Sequence, residues 1–114
     1  VSDTTLEYKL SLLINSLQNL AKSYKEQISS FPDYVDVFDE VISDFDNAFR
    51  LLPAIMEEQV ISYEAVREIL KCNNVIEFNL SIEGRITDES FEIDDSWNLV
   101  REYARTAIVL LKKE

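Results

Sequence analysis

Apolar residues at Leu6, Leu10, Leu13, Leu17, Leu20, Tyr24 and Ile28 recur at steps of four and three, which lines them along one face of a helix. Leu12, Ile14 and Ala21 widen that stripe. Asp3, Thr4 or Thr5 can cap its start, Glu7 lies in the first turn where the helix dipole favours negative charge, and Ser29-Ser30-Phe31-Pro32 ends it. The pattern predicts a helix over about 5–29. Pro32 is placed to open a second helix with Asp33 in its first turn. Val35, Phe38, Val41, Ile42, Phe45, Ala48, Phe49 and Leu52 supply its apolar face, and Pro53 stops or kinks it near Leu51. Residues 53–60 can make a short helical turn of their own.

Ser62 is a good N-cap for a third helix through Val66, Ile69 and Leu70. Beyond it two periods compete. Ile76, Phe78, Leu80 and Ile82 alternate with polar residues as in a half-buried strand, yet Val66, Ile69, Cys72 or Asn73, Ile76 and Leu80 fit one helical stripe. A strand here would need a partner from 85–93, and such a two-stranded hairpin is marginal alone. Helix over 62–82 is the preferred reading, with a hairpin around 75–93, and so an α+β fold, as the alternative. Thr87 can cap a single turn over 87–92. Asp94, Asp95 and Ser96 can open a last helix over 96–112 carrying Trp97, Val100, Ala104, Ala107, Ile108 and Leu111 on its buried stripe, with Lys112 and Lys113 at its C-terminal end. The fold expected is therefore all-α: one domain spanning 1–114, an antiparallel four-helix arrangement with short turns between.

Composition narrows the function classes. The 114 residues suit one domain, 46% of them are hydrophobic, and one Gly and two Pro leave few breakers. No histidine is present, which removes the commonest general base and metal ligand. The single Gly84 excludes a Gly-rich phosphate loop, and the run Asp88-Glu89-Ser90-Phe91-Glu92 lacks the spacing of a calcium-binding loop. The lone Cys72 reads as a small apolar filler without a base to activate it. Neither an enzyme nor a cofactor or metal protein is expected. No stretch has the roughly 18–20 apolar residues of a membrane helix. The first residues lack a signal segment, Val1 suggests a processed or trimmed chain, and a cytoplasmic location is expected.

Asp and Glu total 22 against 11 Lys and Arg, a net charge of −11. Such a surface repels nucleic acid and anionic membranes and attracts basic proteins. Two acidic sets stand out. Asp33, Asp36, Asp39, Glu40, Asp44 and Asp46 fall in a stretch without Lys or Arg, and Asp33, Asp36, Glu40 and Asp44 are spaced to line one face of the second helix. Like charges at that spacing cost about 0.2–0.5 kcal/mol per pair, a repulsion a basic partner would relieve. Glu83, Asp88, Glu89, Glu92, Asp94 and Asp95 form the second set, with Phe91 and Ile93 embedded in it and Phe91 a candidate aromatic anchor. A solvated helix face for the first set, and a Phe91 that plugs the end of the bundle, are the plainer readings. Leu12 and Ile14, outside the main stripe, leave a homodimer joined through a helix face as a further possibility.

The run Ile86-Thr87-Asp88-Glu89-Ser90-Phe91, then Asp94-Asp95-Ser96-Trp97, then Arg101, Ala104 and Ala107, resembles the ending of small acidic all-helical immunity proteins of bacterial contact-dependent and related polymorphic toxin systems. The resemblance covers about residues 86–111. It implies an inhibitor that neutralises a cognate toxin, hence a basic toxin domain as the partner, and transfers no specific binding residue.

Overall fold

A computed structural model describes residues 6–112. Seven α-helices make up the described residues' framework: α1 (Leu6–Ala21), α2 (Tyr24–Ser29), α3 (Val37–Phe49), α4 (Leu52–Glu57), α5 (Tyr63–Leu80), α6 (Asp88–Ile93) and α7 (Asp95–Lys112). A 3-10 turn at Glu83–Arg85 follows α5, and no strand occurs among the described residues. The fold is all-α. The N-terminal caps expected at residues 3–5, and Lys113, lie outside the described residues.

The stripe predicted for the first helix is real, but the helix is not continuous. Leu13, Leu17 and Leu20 are fully buried on α1, each contributing about 1.5–3 kcal/mol of burial free energy. The chain then breaks at Lys22-Ser23. Ser23 Oγ accepts from the Glu26 N–H at 3.3 Å while the Glu26 carboxylate accepts from the Ser23 N–H at 3.0 Å, a reciprocal cap that starts α2 afresh. The last carbonyls of α1 do not go unpaired. The buried amide of Gln27 donates to Asn19 O at 3.0 Å and Leu20 O at 3.3 Å.

The second long helix begins later than expected. Pro32 opens a turn, closed by a bond from the Val35 N–H to Pro32 O at 3.0 Å, and Asp36 is the N-cap of α3 through a bond from the Asp39 N–H at 3.2 Å. Residues 33–36 are therefore not helical. α4 carries Pro53 in its first turn, where no N–H is needed. The hairpin alternative is overturned: α5 runs unbroken through Leu80, with Ala65, Val66, Ile69, Cys72, Ile76 and Asn79 buried at helical spacing. The alternation at 76–82 arises because Phe78 and Leu80 are exposed on a helix, Phe78 beneath the Arg85 guanidinium at 5.5 Å.

α5 packs chiefly on α7, α7 also on α1, and α1 on α3, giving the spatial order α3–α1–α7–α5. Cys72 sits at Val100 and Asn79 at Ser96, so α5 and α7 run antiparallel. An aromatic cluster closes one end: Phe91 lies 4.8 Å from Phe38 and 5.3 Å from Trp97, and Tyr24 meets its ring edge-on at 6.0 Å. No helix is long and apolar enough to cross a membrane among the described residues.

Candidate functional site

The acidic residues of α3 divide between two flanks of the helix rather than sharing one. Asp39 and Asp46, two turns apart, turn toward α5. Asp44 lines a recess against α1 with Asn15 and Asn19. Glu40 stands one turn before Asp44, whose charge and hydrogen bond, together with partial desolvation, hold the Glu40 carboxyl above its ordinary range. Asp36 is occupied as a cap, and Asp33 lies exposed in the preceding turn, off the helix face expected to carry it.

The second acidic set sits on and around α6. Thr87 caps that helix by accepting from the Ser90 N–H at 3.1 Å, and Asp88 and Glu89 occupy its first turn, exposed. Glu92 is also exposed, while Asp94 accepts from Ser90 Oγ. Phe91 is not an available anchor. It is 1% exposed because helical spacing turns it inward onto Phe38 and Trp97, leaving Ile93 as the apolar residue α6 presents to solvent. The Tyr24 hydroxyl is shifted upward by burial first, then by Asp88 and Glu92 of α6, with Arg101 opposing and Asp36 adding.

Few of these carboxylates are neutralised. Ion pairs between described residues are Arg50–Asp46 at 3.1 Å, and Arg67 and Lys71 on the buried Glu68 at 3.1 and 3.2 Å. Asp33, Asp36, Asp39, Glu40, Asp44, Asp88, Glu89 and Glu92 form none among the described residues. Arg101 is spent internally. Only 3% exposed, it donates to Gln27 Oε1 at 2.9 Å, to Phe91 O at 2.8 Å and to Asn98 Oδ1 at 3.0 Å, and stacks on Phe91 at 4.6 Å. It ties α2, α6 and α7 together without a carboxylate partner, and burial pulls its pKa down.

Between α3 and α5 lies an open groove of about 460 Å³. Phe38, Ile42, Phe45, Ile76 and Leu80 provide an apolar floor, and Asp39, Asp46 and Glu77 stand among its lining with Ser43, Asn47 and Asn73. A second recess of about 470 Å³, around Phe49, Leu52, Pro53, Met56 and Leu70, is almost wholly apolar and has Arg50 as its charged member. Carboxylates beside apolar surface thus occur at the first and not the second. Glu77, Ser43 and Asn73 were not singled out by sequence reasoning. Their signal was the placing of polar residues beside the apolar stripes of both helices, which leaves Phe38 and Ile42 half-buried.

Among the described residues no three acidic or cysteine side chains converge as metal ligands. Cys72 is buried, with its thiol pushed up to about 12 by desolvation and then by Glu68. A thiol so held is a poor nucleophile. Compared with known protein families, with curated proteins and with solved structures, the chain has no match.

Proposed function

We propose that this protein is an immunity-type inhibitor that binds a cationic domain of a bacterial toxin through its acidic α3 and α6 surface. The observation that carries the reading is the combination of a net charge of −11 with carboxylates on α3 and α6 that pair with no Lys or Arg among the described residues. Isolated acidic residues kept for solubility need no such concentration. A run of α3 carboxylates that repel one another is stabilised when a basic surface covers them. Asp36, Asp88 and Glu92, from segments about fifty residues apart in sequence, all act on the Tyr24 hydroxyl, which supports a negative field shared by the start of α3 and α6. The resemblance of residues 86–111 to immunity proteins points the same way.

Electrostatic docking of this kind speeds encounter and weakens as salt screens it. The direct test is co-expression with the product of the adjoining gene. A complex that co-purifies, loosens with rising ionic strength, and protects cells from that product is the expected result. The absence of both complex and protection would overturn the proposal.

A further inference from the structure

We infer that the groove between α3 and α5 is the entry site for one amphipathic helical segment of the partner protein, its apolar side chains seated on Phe38, Ile42 and Leu80 and its Lys or Arg residues beside Asp39, Asp46 and Glu77. The inference rests on the reading that the partner is cationic, and adds where and in what form that partner engages.

Three features select this occupant. First, α3 packs mainly on α1 and α5 mainly on α7, so the facing sides of α3 and α5 are left without a helix of this chain between them. The result is an elongated apolar floor in which Phe45 and Ile76 are buried while Phe38 and Ile42 remain half-buried and Leu80 exposed. A purely hydrophilic cation would leave that floor wetted, whereas aliphatic side chains laid on it would gain roughly 25 cal/mol for each Å² removed from water. Second, carboxylates stand on both walls: Asp39 and Asp46 on α3, Glu77 on α5. Asp46 is shared with Arg50, but Asp39 and Glu77 make no ion pair among the described residues. A hydrophobic strip between two negative rims is complementary to an apolar stripe flanked by positive charge. Third, Asp39 and Asp46 are seven residues apart on one helix, about 10.5 Å at 1.5 Å per residue, which matches two turns of a second helix lying alongside.

The probe is a synthetic helical peptide with Leu on one face and Lys on the other, titrated into the ¹⁵N-labelled protein. Two controls accompany it: a version with Glu for every Lys, and a version of equal charge with Ser for every Leu. The Leu/Lys peptide should bind and shift amides within 38–47 and 73–80. The Glu version should not bind, and the Ser version should bind at least tenfold more weakly. Ser43→Trp fills the groove from an exposed position and leaves every carboxylate in place, so it should cost at least tenfold in affinity. Glu77→Lys, a charge reversal on exposed surface, should do likewise, while Asp33→Asn, away from the groove, should change little. The inference is overturned if the Leu/Lys peptide does not bind, if it binds folded Ser43→Trp and Glu77→Lys as well as the unaltered protein, or if the Ser version binds equally tightly with shifts centred on α6. That last result would leave the acidic-surface reading standing. Groove binding alongside a failed co-expression experiment would remove the toxin and keep the groove.

Discussion

Cys72 and Arg101 illustrate how far a side chain's surroundings decide its role. Cys72 lies flat in the α5–α7 interface, its Sγ 3.6 Å from Val100 O, and burial holds the thiol protonated up to about 12 against an ordinary 9.0. A raised folded-state pKa means that the unfolded chain releases this proton first. The stability tied to Cys72 is therefore complete below pH 9 and is lost as pH climbs from there toward 12. At about 1.4 kcal/mol per unit the loss approaches about 4 kcal/mol. Denaturant unfolding of the native protein beside Cys72→Ala should show this steeper alkaline decline in the native protein alone. Equal pH slopes for the two would refute it. Arg101 shows the opposite economy. Three acceptors and the face of Phe91 replace much of the water its buried guanidinium has left, although Nε finds no partner among the described residues, and its position on the last helix becomes the tie for two short helices.

Whole elements were legible where one period ran without rival signals. α7 could be placed to within a residue or two from the stripe Trp97–Ala107, and Ser62 and Thr87 cap as their sequence positions suggest, whereas α5 was legible only as the preferred of two readings because the alternation at 76–82 competed with the stripe Val66–Ile76. The break between α1 and α2 was harder to see for a physical reason. The apolar period continues through Tyr24 and Ile28, while the stop is written in polar residues: Ser23-x-x-Glu26 as a cap, and Gln27, whose amide satisfies α1's terminal carbonyls from the next helix. Gln27 could not be recognised without Arg101, seventy-four positions away, which donates to its amide oxygen. Likewise Pro32 was a plausible helix opener until Asp36 competed for the cap, and that competition removed Asp33 from the acidic face. If the Ser23–Glu26 box sets the break, Ser23→Ala should destabilise the fold by about 1 kcal/mol, the usual worth of such a cap. The measurement is chemical denaturation, and a change within error would mean that Gln27 and Arg101 hold α2 unaided.

Across the whole molecule, the charge excess was plain from composition and its arrangement was not. The sequence placed six acids together before residue 47, but only the packed structure sorts them into Asp39 and Asp46 beside the α3–α5 groove, and Asp44 in the recess against α1. This arrangement carries a cost that can be measured without any partner. Glu40 is held above its normal range chiefly by Asp44, so the folded protein binds a proton there more tightly than the unfolded chain does. Its contribution to stability is thus present below the unfolded pKa and lost as pH rises through the folded one, leaving net repulsion at neutral pH. Glu40→Gln should therefore raise the thermal midpoint at neutral pH and low salt, and the gain should shrink as salt screens the pair and as pH falls into the carboxylate range. A midpoint that falls on neutralisation would show instead that the Glu40 carboxylate stabilises the folded protein. If the midpoint rises while affinity for a cationic partner drops, the repulsion on α3 is a strain in the free protein that binding relieves, the trade expected of a surface shaped by its complex.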